Sequence, residues 1–402
     1  MFVWFIATTE DLRFYLACRA RTGREFYLIH LNLLTFVAAK WYRAGPGTLV
    51  WAREVSSCTD DIIVENAPPR SVSKCFNVLA GRLSIPDAAK AYECTVALLS
   101  RLNAKQPIKK IVIPSGRHIH HWAATTFSRN NDIANIFINY GNFPGRTFFD
   151  PLGTDSQSSV FRDGVNPPAS FTTADAKKII EQTLQQKHSQ KSIPQRTSFF
   201  SEAMKSIAFK LSIFFEKVLG VCGDRQVANI PSPPTVAGAD INDTDALQNL
   251  GAYFFFPLQV STDVQVVGNY EGGSIEAGLE EACRIANESD VYLVLKLHPA
   301  EKNPRNVDDK INVLRASCKI VTANLPVEAL VMGAEQVITI NSTVGLEAKL
   351  LSRRTTFLGR SMYAPMDDRQ MAWYLDKILL KVDYHSGFGA EQEFVRVRQL
   401  LA

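Results

Sequence analysis

The sequence predicts an α/β protein made of two Rossmann-like domains, each built around a parallel sheet. Short apolar runs alternate with segments of helical periodicity, and a stretch rich in Pro, Ala and Gly interrupts this alternation near the middle of the chain. The 402 residues also suffice for two hydrophobic cores. We therefore expect an N-terminal domain over residues 1–226, a linker over 227–250, a second domain over 251–385 and a tail over 386–402.

The N-terminal half supplies the first series of strands and helices. Phe2–Thr8 is an apolar run of strand length, and Glu10–Arg19 has helical spacing. Strands separated by helices predict a parallel sheet with helical crossovers. Further predicted elements are the strands Glu25–Leu31, Lys109–Pro114 and Asn135–Tyr140 and the helix Asp87–Asn103.

Residues 154–220 are predicted to be an excursion from this core. A polar segment is followed by a helix over Ser198–Gly220 that carries one apolar stripe. The favoured interpretation is a packed helix with partial exposure. The alternative is an interfacial anchor on an anionic membrane, because several lysines lie off the stripe. The stripe consists of Phe200, Met204, Ile207, Leu211, Phe214, Phe215 and Val218, and the lysines are Lys205, Lys210 and Lys217.

The second half repeats the alternation after the Pro-rich segment Ile230–Pro234. Two such domains, with a cleft between their sheets, are the plan of the GT-B fold. The predicted strands are Tyr253–Phe256, Val291–Leu297, Lys319–Thr322, Gln336–Ile340 and Thr355–Leu358. The predicted helices are Ser274–Asn287, Asn306–Ala316, Pro326–Met332, Thr343–Leu351 and Asp368–Val382.

Composition excludes several classes of protein. A formal net charge of +4 is too small to demand nucleic acid as a partner. The seven cysteines are odd in number and scattered, which favours reduced thiols over a disulfide framework. The apolar segment Met1–Ile6 is short and lacks a basic flank, so no signal peptide is expected. We therefore expect a cytoplasmic protein, with peripheral contact at the inner face of the cytoplasmic membrane as an alternative.

The segment Val337–Ala348 carries the most informative motif. A buried strand ends at Asn341, and Ser342 and Thr343 open a helix. Hydroxyl groups and free amides at a helix N-terminus suit a phosphate group, and Glu347 follows about one turn later, where it could reach ribose hydroxyls. The alternative is that Ser342 is only an N-cap.

Two further strands end in polar residues. Val291–Pro299 ends with Lys296, His298 and Pro299, and Phe254–Asp263 ends in a loop containing Gln259 and Asp263. Because parallel strands present their carboxyl ends at one edge, we expect His298 near Ser342, where an imidazole can donate to phosphate. Each residue also has a structural interpretation, His298 as a hydrogen-bonding partner and Asp263 as a helix cap. A carboxylate at Asp263 could also serve as a nucleophile or a general base.

Together these motifs resemble the β-Kdo transferases of capsule polysaccharide synthesis and their relatives in lipopolysaccharide O-antigen assembly. The shared patterns are P-L-Q-x-x-x-D at 257–263, K-x-H-P at 296–299 and N-S-T-x-G-x-E-A at 341–348. Residues 140–153 are similar to the family's glycine-rich segment ending in D-P-x-G. This chain has Asn139 and Tyr140 where that pattern has Glu before the first Gly, and Thr154-Asp155 after Gly153 where it has G-x-N.

The resemblance implies a retaining transfer of Kdo, an acidic sugar, from CMP-β-Kdo to a glycan acceptor that is expected to be lipid-linked. It implies that His298, Ser342 and Thr343 hold the CMP phosphate and that Glu347 helps to hold the nucleotide. Asp263 is the candidate nucleophile of a double displacement. Gln259 and Asn341 complete the donor site, Lys296 and Lys302 are candidate counter-charges, and Arg117, His118 and Asp150 are expected on the acceptor side.

No metal or other cofactor is expected. Asp243-Thr244-Asp245 has the D-x-D spacing of metal-dependent glycosyltransferases, but its position before an apolar run favours a helix cap. His118, His120 and His121 follow a strand without a matching Cys or Asp, so we expect a loop that lines the cleft and not a metal site.

Three alternatives remain open. The phosphate-binding motifs would also suit a transferase that uses CMP-sialic acid or CDP-glycerol. The missing Glu near Asn139 also allows a non-catalytic component that binds a nucleotide sugar. Capsule and O-antigen cannot be separated by these motifs.

Overall fold

A computed structural model describes residues 1–52, 63–64, 70–189, 211–223, 239–301 and 304–402. The chain divides into two compact units. Unit 1 comprises Met1–Pro167, Glu181–Ala228 and Ala372–Ala402, and unit 2 comprises Pro168–Ile180 and Asn229–Met371. Lys302 and residues 227–238 of the predicted linker lie outside the described residues.

Unit 1 is built on a six-stranded sheet. Its strands are β1 (Phe2–Ile6), β2 (Tyr27–His30), β3 (Gly47–Leu49), β6 (Lys110–Pro114), β7 (Ala134–Tyr140) and β8 (Thr147–Asp150). The spatial order is β3-β2-β1-β6-β7-β8, and every pairing is parallel except that of β7 with β8. A separate antiparallel pair is formed by β4 (Ile63–Val64) and β5 (Arg70–Ser71).

The helices of unit 1 begin and end at recognisable signals. Thr8 caps the first helix with a reciprocal capping box that includes Asp11, and Gly23 ends it in the left-handed conformation with φ 68°. The helices of this half are α1 (Thr9–Thr22), α2 (Leu33–Trp41), α3 (Phe76–Leu79), α4 (Ile85–Lys105), α5 (Ile119–Asn130), α6 (Ser159–Asp163), α7 (Thr173–Ser189) and α8 (residues 211–219).

The C-terminal segment packs with unit 1, which differs from the predicted boundary at residue 385. Leu380 exchanges backbone hydrogen bonds with Thr147 at 3.0 and 2.9 Å. The last helix, α16 (Glu391–Leu401), buries Phe394 in the same core as Trp4. The predicted helix Asp368–Val382 also ends early, because a π-helical turn occupies Tyr374–Ile378. Residues 386–402 are therefore part of a domain core and not a tail.

Unit 2 is built on a five-stranded sheet in which every pairing is parallel. Its strands are β9 (Tyr253–Pro257), β10 (Tyr292–Lys296), β11 (Ile320–Thr322), β12 (Gln336–Thr339) and β13 (Arg354–Phe357), in the order β11-β10-β9-β12-β13. Its helices are α9 (Thr244–Asn249), α10 (Val264–Val267), α11 (Ile275–Glu288), α12 (Pro304–Leu314), α13 (Val327–Gly333), α14 (Thr343–Leu350) and α15 (Asp368–Trp373).

Each unit thus has the α/β architecture that the sequence predicted, with a parallel or mainly parallel sheet. In unit 2, apolar residues of α11 and α12 pack in one core cluster and those of α13 and α14 in another. Two Rossmann-like units confirm the predicted fold class. Within the described residues, no helix has the length and apolar character needed to cross a bilayer.

Candidate functional site

The three strand-end motifs of unit 2 follow three neighbouring strands. Register places Val294 of β10 and Val337 of β12 on either side of Phe255 in β9. Four positions after Val294, Phe255 and Val337 come His298, Gln259 and Asn341, respectively. Neighbouring strands lie about 4.8 Å apart, so these residues span roughly 10 Å along one edge of the sheet. The predicted convergence of the motifs at one edge is therefore present.

Gln259 and Asn341 connect the ends of β9 and β12 directly. The Gln259 side chain is 7 % exposed, and its Oε1 accepts from the Asn341 backbone N–H at 3.0 Å. The Asn341 side chain donates through Nδ2 to Gln265 Oε1 at 2.6 Å. Asn341 Oδ1 is buried and has no hydrogen-bond partner within the described chain. An unused buried acceptor is costly, so a ligand donor at this position would be favoured.

Ser342 caps α14, and Thr343 begins it. The Ser342 Oγ accepts from the Val344 N–H at 3.2 Å, which agrees with the N-cap interpretation. The Ser342 N–H donates to Thr339 Oγ1 at 3.1 Å, and the Gly345 N–H donates to the Ser342 carbonyl. Among the described residues the Thr343 N–H has no acceptor. Two hydroxyl groups and one amide at a helix N-terminus therefore remain available to an anion.

His298 is held in one tautomer by the turn that follows β10. Its Nδ1 accepts a hydrogen bond from the Ala300 N–H at 3.1 Å, so the ring proton lies on Nε2. Desolvation lowers the pKa of His298, although the negative charges of Asp263 and Glu301 oppose this shift. The imidazole is therefore neutral near pH 7 and can donate one hydrogen bond through Nε2.

Asp263 lies close enough to His298 for its charge to act on the imidazole pKa. It caps the short helix α10, because Oδ1 accepts from the Gln265 N–H at 2.9 Å. No described residue donates to Oδ2. Glu301 fixes the loop that precedes Asp263. One carboxylate oxygen of Glu301 accepts from the Ser261 N–H at 2.7 Å, and the other accepts from the Ser261 hydroxyl at 2.9 Å. The carboxylate of Asp263 is thus positioned by a cap while one oxygen remains available.

Lys296 and Glu347 have less direct placements. Lys296 Nζ donates to the Leu325 carbonyl at 2.7 Å. Leu325 follows β11, and β11 lies on the side of β10 that faces away from β12. Desolvation lowers the pKa of Lys296. The predicted counter-charge at Lys296 is therefore directed away from Ser342. Glu347 is half-buried in α14, one turn beyond Thr343.

The hydrogen bond from the Asn341 N–H to Gln259 should hold the ends of β9 and β12 in position, so Gln259 is the residue to test. Gln259→Leu keeps the volume but leaves the Asn341 N–H without its acceptor, so the free energy of unfolding should fall by about 1–3 kcal/mol. Nucleotide affinity should fall with it, because Asn341 precedes the helix that carries Ser342. Denaturant unfolding and calorimetric titration measure the two effects.

Gln336→Leu is the matched control for that substitution. Gln336 is also buried, but it lies at the opposite end of β12 and donates to Thr356 Oγ1 at 2.8 Å. Its loss should cost similar stability and leave nucleotide affinity unchanged. Equal losses of affinity in both variants would show that Gln259 acts only through stability.

The residues predicted on the acceptor side lie in unit 1 and have structural contacts. Asp150 is 1 % exposed, and its carboxylate accepts from the backbone N–H groups of Leu152, Gly153 and Ser159. It organises the loop after β8 and does not face solvent, contrary to the expected acceptor contact. Arg117 forms an ion pair with Asp155 at 2.7 Å and remains partly exposed.

The histidines predicted in a loop belong instead to a helix. His118 is the N-cap of α5, and His120 and His121 lie in its first turn, fully buried. His120 Nε2 contacts the Cys222 carbonyl at 2.8 Å.

Asp243 of the D-x-D segment caps α9 by accepting from the Ala246 N–H at 2.7 Å, as expected. Within the described ranges, no three His, Cys, Asp or Glu side chains converge as a metal site would require.

Several residues near these sites were not predicted. Gln265 and Glu301 fix the loops around Asp263, and the Arg360 carbonyl accepts from Asn341 Nδ2 at 3.3 Å. A cavity of about 790 Å³ in unit 2 is lined by Arg360, Tyr270 and neighbouring residues. The cavity adjoins the end of β13, and His298, Gln259 and Ser342 are not among its lining residues. These contacts join distant parts of the chain, so no local pattern indicates them.

A parallel sheet with hydrogen-bond donors at its carboxyl edge, as in unit 2, is typical of proteins that bind nucleotides. Residues 234–367 match the family model described as "Capsule polysaccharide biosynthesis protein". This match spans all three strand-end motifs, and it confirms the similarity to capsule polysaccharide biosynthesis proteins that the motifs predicted. No match was found among curated proteins.

Solved structures resemble the chain only weakly. The KpsC β-Kdo 2,7 transferase of Thermosulfurimonas dismutans is 13 % identical, with 75 % of this chain and 88 % of that chain covered and a TM-score of 0.37. Its β-Kdo 2,4 transferase is 12 % identical, covering 66 % and 79 %, with a TM-score of 0.34. The UDP-GlcNAc 2-epimerase of Methanocaldococcus jannaschii is 12 % identical, covering 100 % and 99 %, with a TM-score of 0.35. Likeness at this level supports no functional assignment.

Proposed function

We propose that the chain is a retaining glycosyltransferase that moves Kdo from CMP-β-Kdo to a glycan acceptor in capsule or O-antigen synthesis. The observation that carries the proposal is the alignment of His298, Gln259 and Asn341 at one sheet edge, beside the N-terminus of α14. The family match over the same motifs supports the assignment to polysaccharide synthesis. The choice of Kdo rests on the motif resemblance.

Phosphate binding is the best-supported part of this proposal. The Nε2–H of His298, the hydroxyls of Ser342 and Thr343 and the free Thr343 N–H would donate to the CMP phosphate. The helix dipole of α14 adds a positive potential at the same place. These groups would stabilise the negative charge that develops on CMP as it leaves, without a cofactor. Glu347, one turn further along, would bind the ribose hydroxyls.

Retention of configuration would follow from two displacements at the anomeric carbon. Asp263 Oδ2 would form a bond to that carbon while the bond to the phosphate oxygen breaks, and CMP would leave with the electron pair. An acceptor hydroxyl would then displace the carboxylate and release its proton to solvent. Each step inverts the centre, so the product keeps the donor's configuration.

The acceptor is proposed to bind along the carboxyl edge of the unit 1 sheet, at the cytoplasmic side of the membrane and attached to a lipid. Arg117 is partly exposed after β6, and its charge would suit an anionic glycan. Tyr140 at the end of β7 is 42 % exposed and stacks on His385, with ring centroids 4.8 Å apart at 10°. An exposed, rigid aromatic pair would suit the apolar face of a sugar ring. His118 is too buried to contribute more than support.

Calorimetric titration with CMP, UMP and AMP tests the donor class. Selective binding of CMP, together with CMP release from CMP-Kdo when a glycan acceptor is present, is expected. Release from CMP-sialic acid alone would move the assignment to that donor. Tight CMP binding without release from any donor would identify a non-catalytic binding component.

Protonation of His298 gives a second test of the phosphate site. His298→Ala should weaken CMP binding about tenfold or more, because a hydrogen bond to a charged group is lost, whereas His298→Gln should retain much of the affinity. Since burial lowers the pKa of His298, the ratio of wild-type to His298→Gln affinity should stay constant from pH 8 to about pH 6.5. A ratio that rises as the pH falls through this range would indicate a cationic imidazole instead. His385→Ala, in unit 1, should leave CMP affinity unchanged.

A further inference from the structure

Helix α8 exposes its apolar face. Five of its large hydrophobic side chains are between 50 % and 67 % exposed, and they recur at the i, i+3, i+4, i+7, i+8 spacing of a single helical face. The favoured sequence interpretation was a packed helix with partial exposure, and in residues 211–219 the exposed side of the helix is the apolar stripe itself. The exposed side chains are Leu211, Phe214, Phe215, Val218 and Leu219.

The opposite, polar face of α8 is the one that the protein buries. Ser212 and Glu216 are 7 % and 4 % exposed, and the Ser212 hydroxyl donates to Glu216 Oε1 at 2.9 Å. The same oxygen accepts from the Leu33 N–H at 2.6 Å, in the first turn of α2. A carboxylate at a helix N-terminus is favoured by the helix dipole. Rotating α8 to bury its apolar face would break these contacts, so its orientation is fixed.

The exposed charged side chains of α8 and of residues 31–52, which include α2, are all basic. The charged side chains of residues 31–52 and 211–223 are Glu216, which is buried, and Lys40, Arg43 and Lys217, which are exposed. Trp41 and Tyr42, at the end of α2, are 84 % and 58 % exposed. Exposed Trp and Tyr beside basic residues are typical of segments that lie at a membrane surface.

We propose that α8 is a docking helix that inserts its apolar face into the surface of an anionic lipid bilayer. The cationic side chains on α2 and α8 would contact the lipid headgroups. A second copy of this chain is a poorer occupant, because a symmetric contact would bring two cationic surfaces together. The proposal concerns unit 1 alone and does not depend on the donor or on the transfer reaction.

Co-sedimentation of the full chain with lipid vesicles tests the proposal. The protein should bind vesicles that contain phosphatidylglycerol more strongly than vesicles of phosphatidylcholine alone, and added salt should weaken the binding. Phe214→Ser combined with Val218→Ser should reduce binding about tenfold or more, since two exposed anchors are lost. Lys217→Glu should reduce binding to the anionic vesicles specifically.

Phe388→Ser is the matched control, because Phe388 is 77 % exposed in unit 1 but lies in the loop before α16. Its vesicle binding should equal that of the wild type, and thermal denaturation should show that all variants are folded. Three results would overturn the proposal. The first is equal vesicle binding by the double variant and the wild type. The second is a wild-type dimer that the double variant abolishes, with neither protein binding vesicles. The third is a monomeric wild type that binds no vesicles.

Discussion

Asp263→Asn should reduce the turnover number for transfer from CMP-Kdo by about a thousandfold or more, while CMP affinity stays unchanged. The amide is a poor nucleophile, so the first displacement is lost. It is nevertheless an effective N-cap, and its oxygen can still accept from the Gln265 N–H, which holds α10 in place. Because the cap survives, a loss of activity would report on chemistry and not on folding. Steady-state release of CMP, measured beside a calorimetric titration, separates the two quantities.

Asp243→Asn is the matched control for this prediction. Asp243 is also an N-cap, accepting from Ala246 at the start of α9, and it belongs to the D-x-D segment. Its amide variant should have wild-type activity with and without added divalent cations. Full activity in Asp263→Asn would restrict Asp263 to its capping role and remove the double displacement.

The convergence of polar residues at one edge of the unit 2 sheet could be predicted because it follows from local sequence patterns. Each of the strands β9, β10 and β12 is an apolar run that stops at a polar residue, and parallel strands place such residues at one edge. The order of strands in the sheet decides which of them become neighbours. Here β9 lies between β10 and β12, so Gln259 lies between His298 and Asn341.

The misassigned residues depend on contacts between distant parts of the chain. Periodicity identified the apolar stripe of α8 but could not show which face is buried, since that depends on the hydrogen bond that the Leu33 N–H donates to Glu216. Likewise, His118 opens a helix because Asn77 accepts from the Ile119 N–H at 2.7 Å. Asp150 was expected at an open site, yet three backbone N–H groups enclose it.

Asp11→Ala should lower the free energy of unfolding of unit 1 by about 3–5 kcal/mol. Asp11 is 4 % exposed, and its Oδ2 accepts from the N–H groups of Ala7 and Thr8 at 2.9 and 2.8 Å. Its Oδ1 accepts from the Tyr384 hydroxyl at 2.5 Å. The substitution would leave these three donors without an acceptor, and it would also remove the capping box of α1.

The bond between Asp11 and Tyr384 joins the first strand–helix turn to the segment that returns from unit 2, so its loss should loosen residues 372–402. Tyr384→Phe should cost less, about 1–3 kcal/mol, because the ring still stacks on Phe14 at 4.6 Å. Asp383→Ala, which removes only an exposed bond to the Ser386 N–H, should cost about 1 kcal/mol or less. All five tryptophans lie in unit 1, so denaturant unfolding followed by tryptophan fluorescence reports on this unit. An Asp11→Ala variant as stable as Asp383→Ala would show that the C-terminal segment is held by its apolar contacts alone.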